Sequence, residues 1–466
     1  MIPKLPAVVT ILMMNVCFLN YSTAQNDTVK ILAYNVLHYG DGCQGSNSFL
    51  HHNLKIVAGF ANADILGLVK VQSIKLSASD PNGLSKPGFA DSMIVYGLDS
   101  AYPGRYANAP LMDFSRAPDG DMDVLFYDQH KFGFVSGYSL CVIQEDFDLY
   151  KLYYRDPNLS ITHDTTFLYF VLFHTVSGSN ASELNQRDQQ DTVTINGLKN
   201  IFYHFPNLIA MGDFNTRTST EPGYQFMVNP TDTNFLLIDP PFGIDHKLSY
   251  PLDWSSTPGS CTSYLTNATR VSATIPNGCG DNGGDKDWYI HMLTSSWLAH
   301  NYDYIKYIPN SFNVIGNDGN RLDISVNDTV SRGKNTSAPD SVLNAEFELS
   351  DKYPVTEKFA ITYNSTGTGP ANPVNAIQEY SSGLGQIHYN NPVSDRIYLT
   401  FPQQLIGQQI LLSWYDVTGR LLSSEQLIPQ QTTLSRPVNL VSGLYILRIQ
   451  AFGGSYSYRI IASSIN

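Results

Sequence analysis

The stretch "NLIAMGDFN" (207–215) decides the fold. Leu208 to Met211 form an apolar run of buried-strand character, and Gly212 ends it with a residue free to turn tightly. Asp213 and Asn215 follow at once, so a hydrophobic strand delivers two polar side chains that can reach one point. A second stretch works the same way. "DILGLVKVQ" (64–72) is a buried strand that closes on Lys70, Val71 and Gln72. A lysine at the inner end of such a strand is costly to bury unless it has a partner.

Around these two, the chain reads as strands alternating with helices. "TVKILAYNVLHYG" (28–40) is a strand carrying Asn35 near its end. "SFLHHNLKIVAGFANA" (48–63) places Leu50, Leu54, Val57, Ala58 and Ala61 on one helical face. "MDVLFYD" (122–128) and "TTFLYFVLFHTVSG" (165–178) are further strands, the latter apolar almost up to His174. A helix over 185–205 has Ile195, Leu198 and Phe202 as its inner stripe. "KDWYIHMLTS" (286–295) and "LSDKYPVTEKFAITY" (349–363) complete the set, carrying Asp287, Asp351 and Lys352. This pattern predicts an α/β (α+β) fold: a four-layered α/β sandwich of two packed β-sheets flanked by helices, followed by a small all-β sandwich.

The 466 residues are 42% hydrophobic and 15% charged, with 29 tyrosines and 23 phenylalanines, a composition that suits a β-rich globular chain. Residues 1–24 read as a signal peptide: Lys4, the apolar "PAVVTILMMNVCFL", then "STA" before Gln25. No later run is long and apolar enough to span a bilayer. Removing that segment leaves Cys43, Cys141, Cys261 and Cys279, which allow three disulfide connectivities. The nearest pair, Cys261 and Cys279, is the first bridge expected. The formal net charge of −13, or −14 once Lys4 leaves, excludes broad nonspecific attraction to nucleic acid but not a local basic site. Residues 25–363 form the large unit, 364–387 a Gly/Ser/Asn/Pro-rich linker, and 388–466 a run of short strands with turns at Asn391-Pro392, Thr418-Gly419 and Ser442-Gly443.

Singly, the polar strand ends have ordinary readings: Asn35 or Asp213 as a turn cap, His174 as a hydrogen-bonded core residue. Taken in order they carry more. "AYNVLHYG", "DILGLVKVQ", "FHTVSGSN", "MGDFN", "GGDKDWYIHMLTS" and "LSDKYPV" resemble the successive motifs of the endonuclease/exonuclease/phosphatase superfamily over residues 28–362. The resemblance implies that Asn35 orients a metal or phosphate and that His174 binds phosphate oxygens. It implies that Asp213 positions or deprotonates the attacking water and that Asn215 holds the phosphate. Asp287 would pair with the histidine of the last motif, and Asp351 would lie near the metal.

Two positions depart from the family. Lys70 stands where it has its metal-binding glutamate, and Lys352 where it has the last histidine. An ammonium about 4 Å from Mg²⁺ is repelled by roughly 8 kcal/mol at an effective dielectric near 20. The resemblance therefore points to a degenerate metal site, in which Lys70 takes the metal's electrostatic place beside Asp351 and Asn35 while Lys352 pairs with Asp287. Asn35 and Asp351 remain the metal ligands only if a metal binds despite Lys70. Lys70, Asn35, His174 and Asn215 are the expected phosphate-binding residues. The catalytic set, should turnover survive, is His174, Asp213, Asn215, Asp287 and Lys352.

Three functions are compatible with this reading. The first is a non-catalytic binder of a phosphate-bearing ligand, with no cofactor. The second is an active phosphodiesterase or nuclease-like hydrolase with altered chemistry, the case in which Mg²⁺ or Mn²⁺ would matter if a metal serves it. The third is a structural surface protein. Loops 75–120 and 216–285 would set ligand choice and hold no motif that names it. The tail "NNPVSDRIYLTF", "WYDVTGRLL", "LVSGLYILRI" and "YSYRIIAS" resembles the C-terminal sorting domain of the Bacteroidetes type IX secretion system. That implies export by signal peptide and type IX machinery to the outer-membrane surface or the medium.

Overall fold

The computed structural model describes residues 26–72, 89–110, 121–141, 143, 147–272, 279–300, 303–364, 387–390, 393–408, 410–416, 421–438, 440–451 and 454–462. The expected signal peptide, almost all of the expected linker, and the turns at 391–392 and 418–419 lie outside the described residues.

Two sheets carry the large unit. The first is ordered β11-β13-β1-β2-β4-β3, built from β1 (Asn26–Tyr39), β2 (Ile65–Gln72), β3 (Tyr106–Asn108), β4 (Asp121–Asp128), β11 (Ile305–Tyr307) and β13 (Val355–Thr362), with β12 (Asn313–Val314) also on β13. The second is ordered β5-β6-β7-β8-β10-β9, from β5 (Phe132–Cys141), β6 (Phe147–Tyr154), β7 (Phe167–His174), β8 (Leu208–Asp213), β9 (Leu237–Ile238) and β10 (Ile290–Ser295). Two neighbouring pairs are parallel, β1 with β2 and β7 with β8. Strand β1 also runs antiparallel to β13, from Asn26 opposite Thr362 to Ala33 opposite Val355.

The central strands β7 and β8 read as nearly unbroken apolar runs because both faces are covered. Every residue of β4 and β8 is buried. The inner faces meet so closely at Gly67 that a Cβ there would stand 2.5 Å from Met211 and 2.6 Å from Leu172. Outside the first sheet lies the helix Asn47–Ala61, packed on the helix Asp340–Leu349. Ser46 starts the former by accepting from the Phe49 amide, and Asn62 ends it in the left-handed conformation. Outside the second sheet, Ile195 and Leu198 of the helix Ala181–Ile201 pack against Phe147, Leu149, Val171 and Phe173. A capping box formed by Asn180 and Glu183 opens that helix. The four layers expected from the sequence are present.

The C-terminal residues form a separate all-β core of two sheets, β14-β15-β18 and β17-β16-β19-β20. Their strands are β14 (His388–Tyr389), β15 (Arg396–Thr400), β16 (Ile410–Asp416), β17 (Leu421–Leu427), β18 (Thr433–Pro437), β19 (Gly443–Ala451) and β20 (Gly454–Ala462). Among the described residues no helix is long and apolar enough to cross a membrane.

The expected Cys261–Cys279 bridge is not formed. Cys279 pairs with Cys43, 236 residues away, at a Cα–Cα distance of 5.5 Å. Sequence proximity misleads here because Cys261 sits in the aromatic core of the second sheet with Trp254 and Trp288, where burial pushes its thiol up to about 12. Cys141 is likewise buried and takes no part in the bridge.

Four fully buried carboxyls, Asp191, Asp285, Glu346 and Glu357, are held well above the ordinary acid range, chiefly by burial. Glu346 has no hydrogen-bond partner for either oxygen among the described residues. An acid that ionises more readily unfolded than folded contributes fully below about pH 4, and that contribution is lost as pH rises. Glu346→Gln is therefore expected to raise Tm at pH 8, by about 2–4 °C for each kcal/mol relieved, and to leave it unchanged near pH 4. Thermal denaturation at the two pH values checks this.

Candidate functional site

The site forms where β1, β2, β7 and β8 end and where β10 and β13 begin. Gly212 sets its geometry: φ is 139°, and a Cβ there would stand 2.0 Å from the Phe173 carbonyl oxygen, so only glycine lets β8 approach β7. The parallel register then places His174 opposite Asp213. Asp213 Oδ2 accepts from Asn35 Nδ2 at 2.8 Å, and its Oδ1 accepts from the Asn215 amide at 3.1 Å. Asn215, in the left-handed region at φ 47°, donates its Nδ2 to the Thr175 carbonyl at 2.8 Å. Asn35 Oδ1 accepts from the Leu37 amide at 2.9 Å, and the Asn35 carbonyl accepts from Ser350 Oγ at 2.6 Å. Asn35, His174, Asp213, Asn215 and Ser350 thus share one polar centre, and all five are buried.

The cation of this centre is Lys352. Its Nζ lies 2.7 Å from Asp351 Oδ2 and 3.4 Å from Asp281 Oδ2. The Asp281 amide also donates to Asp351 Oδ2, at 2.7 Å. Burial opposes charge on both partners, with side-chain exposures of 7% for Lys352 and 2% for Asp351. The surroundings outweigh it. Asp351, Asp213 and Asp281 hold the Lys352 ammonium above the ordinary lysine range, and Lys352, the Asp281 amide and Arg270 hold the Asp351 carboxyl below the ordinary acid range. Arg270 lies behind Asp351 and is fixed by Gln44 Oε1 at 2.9 Å and by the carbonyl of Cys279 at 3.3 Å. The Cys43–Cys279 bridge therefore braces the back of the site.

This corrects two expected pairings. Lys70 does not bond to Asp351 or Asn35. It occupies a bulge where the register of β2 shifts against both β1 and β4, with φ 61°. Its Nζ is turned to His38 Nε2 at 3.4 Å, while His38 Nδ1 lies 2.5 Å from Asp121 Oδ2. The hydrogen bond to Asp121 raises the His38 pKa. Nor does Lys352 pair with Asp287, which accepts instead from Ser255 Oγ at 2.8 Å. The Lys352 ammonium instead reaches back to its own chain neighbour, Asp351.

Sequence reading missed three residues. Tyr289 follows Asp287 by two positions, and its ring centroid stands 5.8 Å from Lys352 Nζ and 5.9 Å from the Arg217 guanidinium carbon. Burial, reinforced by Asp287, keeps its hydroxyl protonated. Arg217 follows Asn215 by two, and its Nη1 donates to Ser255 Oγ at 3.2 Å. Both could have been found by counting on from a motif residue with period two. Asp281 left no comparable signal.

The donor set does not fit the divalent cation that the sequence resemblance implies. One Asp351 oxygen already accepts from an ammonium and an amide; its Oδ1 is buried without a partner, a single free donor where Mg²⁺ needs a near-octahedral shell. Asn35 Oδ1 is engaged by a backbone amide. Among the described residues no three His, Cys, Asp or Glu side chains are grouped to hold a metal.

A comparison of the sequence with curated proteins finds no match. Among solved structures the chain is similar to the endonuclease/exonuclease/phosphatase from Beutenbergia cavernae DSM 12333, at 11% identity and TM-score 0.39, over 93% of this chain and 99% of that one. It is also similar to D. rerio TDP2 complexed with single strand DNA product, at 13% identity and TM-score 0.36, over 71% and 98%. A third is ANGEL2, a 2',3'-cyclic phosphatase, in complex with adenosine-2',3'-vanadate, at 13% identity and TM-score 0.37, over 72% and 96%. For the C-terminal unit the finding is a family: residues 388–463 match the model described as the secretion system C-terminal sorting domain.

Proposed function

We propose that this protein is exported through the type IX system and binds a phosphate-bearing ligand on an endonuclease/exonuclease/phosphatase-like scaffold, without metal-assisted hydrolysis. The observation that carries the reading is the buried ion pair between Lys352 and Asp351. An ammonium fixed at 2.7 Å from that carboxylate does for the site what a metal would do, balancing Asp351 and Asp213, but it offers no Lewis acid and no activated water. The polar groups suited to phosphate oxygens, His174 and Asn215, are still brought to the same centre. The sorting domain supports release or display outside the cell.

Hydrolysis of a generic phosphodiester and of DNA by the full chain, with Mg²⁺, with Mn²⁺ and with chelator, tests the proposal. No turnover is expected in any condition, and titration calorimetry with Mg²⁺ should show no binding heat. The double change Lys70→Glu, Lys352→His is expected to introduce Mg²⁺ binding. Turnover by the native chain in chelator would reveal an enzyme that has replaced its metal; metal-dependent turnover would show that the ammonium does not close the site.

Truncating the cation should also be costly. Lys352→Met leaves Asp351 buried without its closest counter-charge, with an expected loss of about 3 kcal/mol. The depressed Asp351 carboxyl contributes stability above the ordinary acid range and loses it as pH falls through its lowered value, while the raised Lys352 ammonium keeps its part until pH passes about 10. Loss of the ammonium lifts the Asp351 carboxyl in the variant, so the Tm difference between wild type and Lys352→Met is expected to be largest from about pH 7 to pH 9 and to shrink progressively as pH falls toward about 4.

A further inference from the structure

Arg217 differs from Lys352, the cation of the polar centre, which is engaged by Asp351 and Asp281; Lys70 is turned away to His38, which itself faces Asp121. Among the described residues Arg217 pairs with no carboxylate. Its Nη1 donates to the Ser255 hydroxyl, and its Nε is buried with no partner. The two acids nearest in sequence, Asp213 and Glu221, are committed elsewhere: Asp213 accepts from Asn35 and the Asn215 amide, Glu221 Oε1 accepts from the Arg217 backbone amide at 2.7 Å, and Glu221 Oε2 accepts from Arg187 Nε at 2.8 Å. Asp287 is reached only through Ser255, whose hydroxyl donates to Asp287 Oδ1. A half-buried guanidinium without a counter-ion is an expensive arrangement, and the usual resolution is an anion brought by a ligand.

The segment around Arg217 is held firmly. The Ser255 amide donates to the Arg217 carbonyl at 3.1 Å, and Trp254 Nε1 donates to the Thr216 carbonyl at 2.6 Å. Glu221, anchored by Arg187 from the helix Ala181–Ile201, fixes the backbone from the other side. The guanidinium carbon lies 5.9 Å from the Tyr289 ring centroid, and the Lys352 ammonium 5.8 Å from the same ring. Two cations from different segments therefore approach one buried phenol, and only one of them has carboxylates of its own.

We propose that Arg217 is the specificity residue of the site: its guanidinium receives the anionic oxygens of a phosphate ester, and the ligand supplies the counter-ion that the protein lacks. This rests on the phosphate-binding reading above and names the residue that selects for the phosphate. No bond is made or broken in this step. A fork of parallel donors matches two phosphate oxygens where an ammonium offers a single point of charge.

The test is titration calorimetry of the full chain with inorganic phosphate and with adenosine monophosphate, comparing wild type, Arg217→Gln and Arg217→Lys, with Tm of each protein measured without ligand. Arg217→Gln is expected to weaken binding of both probes about ten- to hundredfold, and Arg217→Lys to fall between it and wild type. Without ligand, Arg217→Gln should melt at the same temperature as wild type or higher, because an unpaired buried charge is gone. A residue that only braced the loop would instead lower Tm when replaced. Phosphate binding by Arg217→Gln as tight as by wild type, or a lowered unliganded Tm, overturns the assignment and leaves the phosphate-binding reading standing. Failure of wild type to bind either probe overturns both.

Discussion

The site depends on one electrostatic requirement: Asp351 is buried where two sheets end, and its charge must be matched. Lys352 matches it at 2.7 Å from the adjacent position in the chain. The consequences spread outward from that contact. Asp281 is drawn in by its amide and carboxylate, Arg270 stands behind, and Gln44 and Cys279 hold Arg270 in place. Asn35 and Ser350 join the end of β1 to the start of β13, and Asn35 joins both to Asp213 on the other sheet. Charge balance and the joining of the two sheets thus meet in adjacent residues, Ser350, Asp351 and Lys352.

Most of the fold was legible in the sequence, for a simple reason. Strands covered on both faces must be apolar throughout, so β7 and β8 declare themselves, and the polar residues at their ends mark where cover stops. The convergence of Asn35, His174, Asp213 and Asn215 follows from those ends. Pairing between charges was much less legible. Lys70 and Lys352 lie 282 positions apart in the same sequence, and nothing in spacing says which ammonium reaches Asp351. The bulge that turns Lys70 toward His38 requires a backbone conformation that lysine rarely adopts, with Leu37 and His38 also left-handed beside it at φ 52°. Propensity argues most against Leu37 and Lys70, and tertiary context overrides it. The disulfide was illegible for a related reason: Cys43 and Cys279 meet only because the loop after β1 and the segment before Asp281 both fold over the site.

Two kinds of buried charge coexist in the large unit. Asp351 is ionised and compensated, whereas Glu346 and Glu357 are buried without compensation and held as neutral acids. Compensated pairs also occur away from the site, as between Arg187 and Glu221, so the large unit holds both paired buried charges and carboxyls whose pKa burial raises.

Strand β1 lies between β2 and β13, so the first strand of the large unit is completed by its last. Its antiparallel partner arrives only after nearly the whole unit has been made, which gives the fold a high contact order and a slow closure. A chain emerging from synthesis lacks the strand that finishes its first sheet, and it stays extensible for as long as that strand is missing. For a protein carrying a C-terminal sorting domain, late closure means that the large unit locks only once the residues just ahead of that domain have been made.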